Sequence, residues 1–169
     1  DGVNKWRSET PGLSEDLPAL LNIWGEPVEY DFAWSPIRMK EGKQRPIDQA
    51  LIQLNANVSM PSRTVSKKDQ DTGISTPTKL TTEEFNEMLR IANKEMDLES
   101  EVMAAIDVVK EDKNPSKLIF HQNTVKKVFG DVFENAKKKL MEDSIYTDDI
   151  NKRIADKAQR LKQFGQGAK

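Results

Sequence analysis

The chain has no cysteine in its 169 residues. Disulfides and thiolate metal sites are excluded, and the composition fits a reducing compartment such as the cytoplasm. Histidine occurs once, as His121. No second His or Cys exists to complete a usual zinc shell with it. A structural role for His121 therefore outweighs a role as general base or ligand. Hydrophobic residues make up 36% of the chain and aromatics 7%, with a mean hydropathy of -0.71. Such a chain builds a small core, or leaves part of its apolar surface for a partner to complete. No apolar run is long enough to span a membrane, and no signal-peptide pattern is present. Phosphate-binding glycine loops and nucleophile elbows are also missing. Asp69, Asp71 and Gly73 faintly resemble a calcium loop, but the glycine stands fifth where the sixth place is needed. Leu80 falls at the twelfth place, where the bidentate acid belongs. Nothing in the sequence asks for a cofactor.

What is present is charge, unevenly spread. The net charge is -2. Over residues 81–112, three basic residues (Arg90, Lys94, Lys110) face ten acidic ones, whereas residues 115–169 hold twelve basic against seven acidic. Two halves of opposite sign either pack on each other or engage charged partners. For the basic half the partner would be phosphate backbone.

The clearest local signal lies at residues 79–96. Thr81 and Glu84 have capping-box spacing, and Leu80 and Phe85 have the spacing of a hydrophobic staple. Phe85, Met88, Leu89, Ala92 and Met96 recur at helical period, so one apolar face is expected over residues 81–97. Ser100 is the expected cap of a second helix over 100–111, with Val102, Met103, Ile106 and Val109 inward. Asn114-Pro115 breaks the chain. Leu118-Ile119-Phe120 reads as either helix or strand, with helix favoured. From Thr124, the positions Val125, Val128, Phe129, Val132, Phe133, Ala136 and Leu140 alternate by three and four, predicting a helix over 124–142. A last helix is predicted over 147–164, with Ile150, Ile154, Ala158, Leu161 and Phe164 on its apolar side. The short connection makes these two helices an antiparallel pair, with Phe129, Phe133 and Leu140 facing Ile154, Ala158 and Leu161.

The region ahead of these helices differs. Residues 1–46 hold all three Trp and five of the eight Pro. Each Pro fixes φ and removes a donor, so an extended wrapping arm is expected, with one short helix near 15–23 capped by Ser14. Trp6, Trp24 and Trp34 are candidate partner-binding anchors, since aromatic side chains on an extended strap need pockets elsewhere. Trp24 leans toward the chain's own helices and Trp6 toward a neighbouring subunit. Residues 47–169 form the helical domain. It opens with a short helix started by Pro46 and closed by residues 55–57. An irregular β-hairpin over 58–80 follows, with Asp71 and Gly73 at its turn and Pro61 and Pro77 confining it to edge pairing. The fold class is mainly α: a small irregular helical bundle with an extended N-terminal arm and one short hairpin.

Candidate chemistry is sparse. The carboxylates of Glu83, Glu84, Glu87, Asp97, Glu99 and Glu101 could in principle flank a scissile bond, yet acids this dense on helix positions ordinarily form a hydrated surface. Lys126, Lys127, Lys137, Lys138 and Lys139 are the densest basic spots. They fall on the polar side of the helix over 124–142, a solvated face by default and a nucleic-acid contact in the sharper reading.

Three stretches together resemble a known family. They are Pro11-Gly12-Leu13-Ser14 with Leu17-Pro18 and Trp24-Gly25-Glu26-Pro27; then Ser59-Met60-Pro61-Ser62-Arg63; then Lys79-Leu80-Thr81 with Glu83-Glu84-Phe85. Their order is similar to the C-terminal region of large bacteriophage internal virion proteins, also called ejection or pilot proteins, and of related polyvalent-protein-associated domains. The resemblance implies a structural, portal-associated segment inside the virion. Portal or other virion proteins would be its partners, it would be a homo-oligomer near packaged DNA, and it would take part in genome ejection into the host. It carries no catalytic residue over. It also accounts for a chain beginning at Asp1 as part of a longer polypeptide. Beside this structural function stand two alternatives: a nucleic-acid-binding module using the basic C-terminal half, and, ranked last, an enzyme.

Overall fold

The computed structural model describes residues 19–27, 45–68, 75–112 and 114–166. These residues are mainly helical, with five α-helices and one two-stranded antiparallel sheet. Helix α1 is Pro46–Gln53. Proline occupies its first position, and the Asp48 carboxylate accepts the Arg45 amide at 3.4 Å. Asn55, left-handed at φ 52, turns the chain out of it. Ile47, Ala50 and Leu51 are buried.

Strands β1, Thr64–Lys68, and β2, Ser75–Lys79, pair in register from Thr64↔Lys79 to Lys68↔Ser75. The hairpin is shorter than the predicted 58–80, because residues 58–63 join no ladder. Pro77 opposes Ser66 and is tolerated because a two-stranded sheet consists only of edges. The expected turn residues Asp71 and Gly73 lie outside the described residues.

Helix α2 is Thr82–Arg90. The Thr81 hydroxyl accepts the Glu84 amide at 3.3 Å, and the Glu84 carboxylate accepts the Thr81 amide at 2.8 Å, completing the capping box. Leu80 and Phe85 are both buried. The predicted continuous helix to residue 97 is interrupted: Ile91–Glu95 winds as a π-helix, and Asp97 is left-handed at φ 46. Asp97, not Ser100, caps helix α3, Leu98–Glu111, its carboxylate accepting the Ser100 amide at 3.4 Å. A short Asp side chain tolerates the left-handed region and can reach back to the first turn.

A 3-10 turn, Pro115–Lys117, leads into helix α4, Leu118–Glu142. The ambiguous run Leu118-Ile119-Phe120 is thus helical. Val125, Phe129, Val132, Phe133, Ala136 and Leu140 are buried, as their spacing predicts. Helix α5, Thr147–Gln166, packs on α4 and also on β2. Ile150 and Ile154 are buried, but Leu161 is 49% exposed, so the predicted pairing with α4 does not extend to it.

Residues 19–23 are not helical. The Asn22 side chain accepts the amides of Trp24, at 2.9 Å, and Glu26, at 3.0 Å, an Asx arrangement that competes with a helix. One contiguous core links Trp24 with α1, β1, α2, the π segment, α3, α4 and α5.

Candidate functional site

Trp24 is 8% exposed. Its indole donates to the Asp48 carboxylate at 3.3 Å and meets Phe129 edge-on at 6.5 Å, and the Arg45 guanidinium lies 6.0 Å from its ring centre. This corrects the assignment of Trp24 as a partner-binding residue: its burial comes from the chain's own α1 and α4. Around it, Glu26 pairs with Arg45, and Leu21 bridges to Pro27. Asn93 donates to the Ile23 carbonyl at 3.1 Å and Asn86 to the Ala19 carbonyl at 2.8 Å. Residues 19–27 of the arm therefore fold onto their own helices. Trp6 and Trp34 lie outside the described residues.

The basic face of α4 is discontinuous. Lys126, Lys127 and Lys138 are exposed. Lys137, expected on the polar side, is only 8% exposed and reaches Glu134 at 3.0 Å. Its aliphatic stem lies against the core while its ammonium stretches to a surface acid. Lys139 pairs with Glu95 in the π segment, and this contact raises its ammonium above the ordinary 10.5. Lys127 and Lys138 share one side of the helix about 16 Å apart, too few cations for a tight grip on a phosphate backbone.

The acids of residues 83–101 are largely committed. Glu84 serves the Thr81 amide and Arg153, Glu87 holds Arg90, Asp97 caps α3, and Glu99 meets Arg45 at 3.3 Å. Glu83 and Glu101 are exposed. His121 is buried, with Nε2 3.5 Å from the Asp112 carboxylate. Lys117 donates to the same carboxylate at 2.7 Å, the largest of the effects that hold Asp112 below its ordinary 3.8. Among the described residues no cluster of three His, Asp or Glu side chains is placed to hold a metal ion. No described helix is long and apolar enough to cross a membrane.

What periodicity misses is an uncovered corner. At the start of α4, Leu118, Ile119 and Phe120 are 44%, 73% and 67% exposed. Val108, in the last full turn of α3, is 69% exposed at the same end. At the turn between α4 and α5, Ile145 is 85% exposed beside an acidic groove of about 540 Å³. The only sequence signal for either place is an apolar residue beside a helix boundary. Compared with family models, curated proteins and solved structures, the chain matches none.

Proposed function

We propose that this chain is a structural, non-enzymatic segment of a bacteriophage internal virion protein. It docks near the portal or on copies of itself in the virion interior, close to packaged DNA, and takes part in genome ejection into the host. Two things support this reading. The ordered stretches Trp24-Gly25-Glu26-Pro27, Ser59-Met60-Pro61-Ser62-Arg63 and Lys79-Leu80-Thr81 resemble that family. The observation that carries a docking role is the exposed apolar corner of Val108, Leu118, Ile119 and Phe120. Clustered exposed apolar side chains mark surfaces that a protein partner covers, and buried aromatic anchors dominate the energy of such contacts.

The test is particle composition. Mass spectrometry of protease-treated, DNA-filled particles of the phage encoding the chain should find it protected inside. Ile119→Asp with Phe120→Asp should leave the fold intact and lower the copies per particle at least about tenfold. Absence of the wild-type chain from particles refutes the virion role. Undiminished incorporation of the double variant removes this corner from the docking surface.

A further inference from the structure

Two surfaces at opposite ends of α5 lack a partner within the chain and complement each other. The first is the groove at the α4–α5 turn, with Ile145 exposed on its rim. Two of its carboxylates are already committed, Glu87 to Arg90 and Glu95 to Lys139. Glu142, Asp143 and Asp148 form no ion pair among the described residues. The groove is therefore acidic with an apolar residue at its edge.

The second surface is the far part of α5. Its stripe begins with the buried Ile150 and Ile154, continues through the half-buried Ala158, and reaches Leu161 at 49% exposure. The last described tethers of this helix are Arg153, on Glu84 and the Lys79 carbonyl, and Lys157, on the Pro77 carbonyl. Beyond them Arg160 is exposed and has no partner among the described residues. An amphipathic helix whose stripe outruns its own core needs another surface to cover it.

We propose that these surfaces meet between copies of the chain. Leu161 of one copy packs against Ile145 of the next, and Arg160 faces Glu142, Asp143 and Asp148. Arg160 complements the acidic groove, and each surface carries an uncovered aliphatic side chain, which names a second copy as the occupant. They cannot meet within one copy, because Leu161 lies about 21 Å along the helix axis from Thr147. The contact joins two different patches and is heterologous, so repetition gives a ring if the rotation closes and a filament if it does not. This inference rests on the reading that the chain docks on copies of itself and specifies the surfaces used.

Sedimentation velocity of the full chain tests it. The wild type should self-associate at low salt and dissociate as salt rises, since the charges involved are exposed. Ile145→Asp and Leu161→Asp should each weaken association at least about tenfold, with unchanged circular dichroism. Mixed together, they should form a one-to-one pair that grows no further, because each keeps the surface the other has lost. Arg160→Glu should weaken association likewise and provides a charge-only variant should an aspartate disturb folding. Ile119→Asp, at the other corner, should associate as the wild type does. A wild type that stays monomeric, single variants that associate normally, or a mixture that stays monomeric overturns the proposal. A failure here with particle incorporation intact removes this interface alone and leaves the virion role standing.

Discussion

Replacing Arg153 with alanine tests how α5 is fastened to the core. Glu84 is 3% exposed, with one carboxylate oxygen accepting the Thr81 amide at 2.8 Å and the other receiving the Arg153 guanidinium. Arg153 also donates to the Lys79 carbonyl at 3.1 Å, and 36% of its side chain is exposed. Removing the guanidinium leaves a buried carboxylate with one oxygen unpaired. Breaking a fully buried pair this way costs about 3–5 kcal/mol. Water reaches the open side of Arg153 and screens the pair, which lowers the expected cost to about 2–3 kcal/mol. For a chain of this size the melting temperature should fall by about 4–12 °C. Glu84→Gln should cost less, about 1–2 kcal/mol, because the amide oxygen still accepts the Thr81 amide. In the double variant no buried charge waits for a partner, so the two costs should not add. Thermal and urea unfolding of the four proteins should give a coupling of about 1–2 kcal/mol. Costs that add within about 0.5 kcal/mol, or an Arg153→Ala melt within about 1 °C of wild type, refute the reasoning.

Other substitutions test single features. Gly130 sits exposed in α4 with nothing within 4 Å of an added Cβ, so Gly130→Ala should stabilise by about 1 kcal/mol; a lower melting temperature would show that the site is constrained. Phe133 is 3% exposed and meets Phe129 at 4.9 Å between ring centres, and its replacement by Ala should cost about 3–5 kcal/mol by urea unfolding. Gly25 has φ 72, so Gly25→Ala should cost about 1–2 kcal/mol; an unchanged urea midpoint would contradict the turn. Asp112 is held below 3.8 chiefly by Lys117. Its contribution to stability should be complete above that value and disappear as pH falls through the lower folded value. A carboxyl NMR titration should show a depressed midpoint that rises in Lys117→Ala while the Asn114 amide and His121 still favour the carboxylate, and an ordinary midpoint in the wild type would disprove the contact.

The parts of the fold that were legible are those written in local chemistry. Thr81 and Glu84 are three residues apart, Pro46 opens α1, and the stripe from Val125 to Leu140 needs no knowledge of partners. The π segment was not legible because Ile91 and Ala92 also suit an ordinary helical period, so the pattern reads on through the break. Asp97 is hidden as a cap because the apolar spacing continues across it. The run Leu118-Ile119-Phe120 is too short for periodicity to classify, and its exposure depends on how α3 and α4 meet. The burial of Lys137 is not legible because its charge and its stem occupy different environments. The candidate surfaces were the least legible. Ile145 and Leu161 look like ordinary core residues until the packing leaves them uncovered.

The stretch Trp24-Gly25-Glu26-Pro27 is fastened within the chain, and this bears on the proposed docking. Each of its residues is engaged within the chain. Trp24 fills a core position, and Gly25 makes a left-handed turn where an added Cβ would stand 3.4 Å from the Asn93 amide. Glu26 pairs with Arg45, and Pro27 bridges back to Leu21. Asn93 sits in the π segment and donates both to the Ile23 carbonyl and to the Leu89 carbonyl, at 2.8 Å, one turn earlier. The irregular winding of the central helix and the turn of the arm thus share one side chain. Extracting Trp24 to reach another subunit would expose Phe129, take the indole from Asp48 and take the Ile23 carbonyl from Asn93, so the arm is fastened here. The proposed docking would then use surfaces that the clip leaves uncovered: the corner of Ile119 and Phe120, and the two ends of α5. A partner gripping those places can bind without disturbing the core, because none of their exposed side chains is part of it.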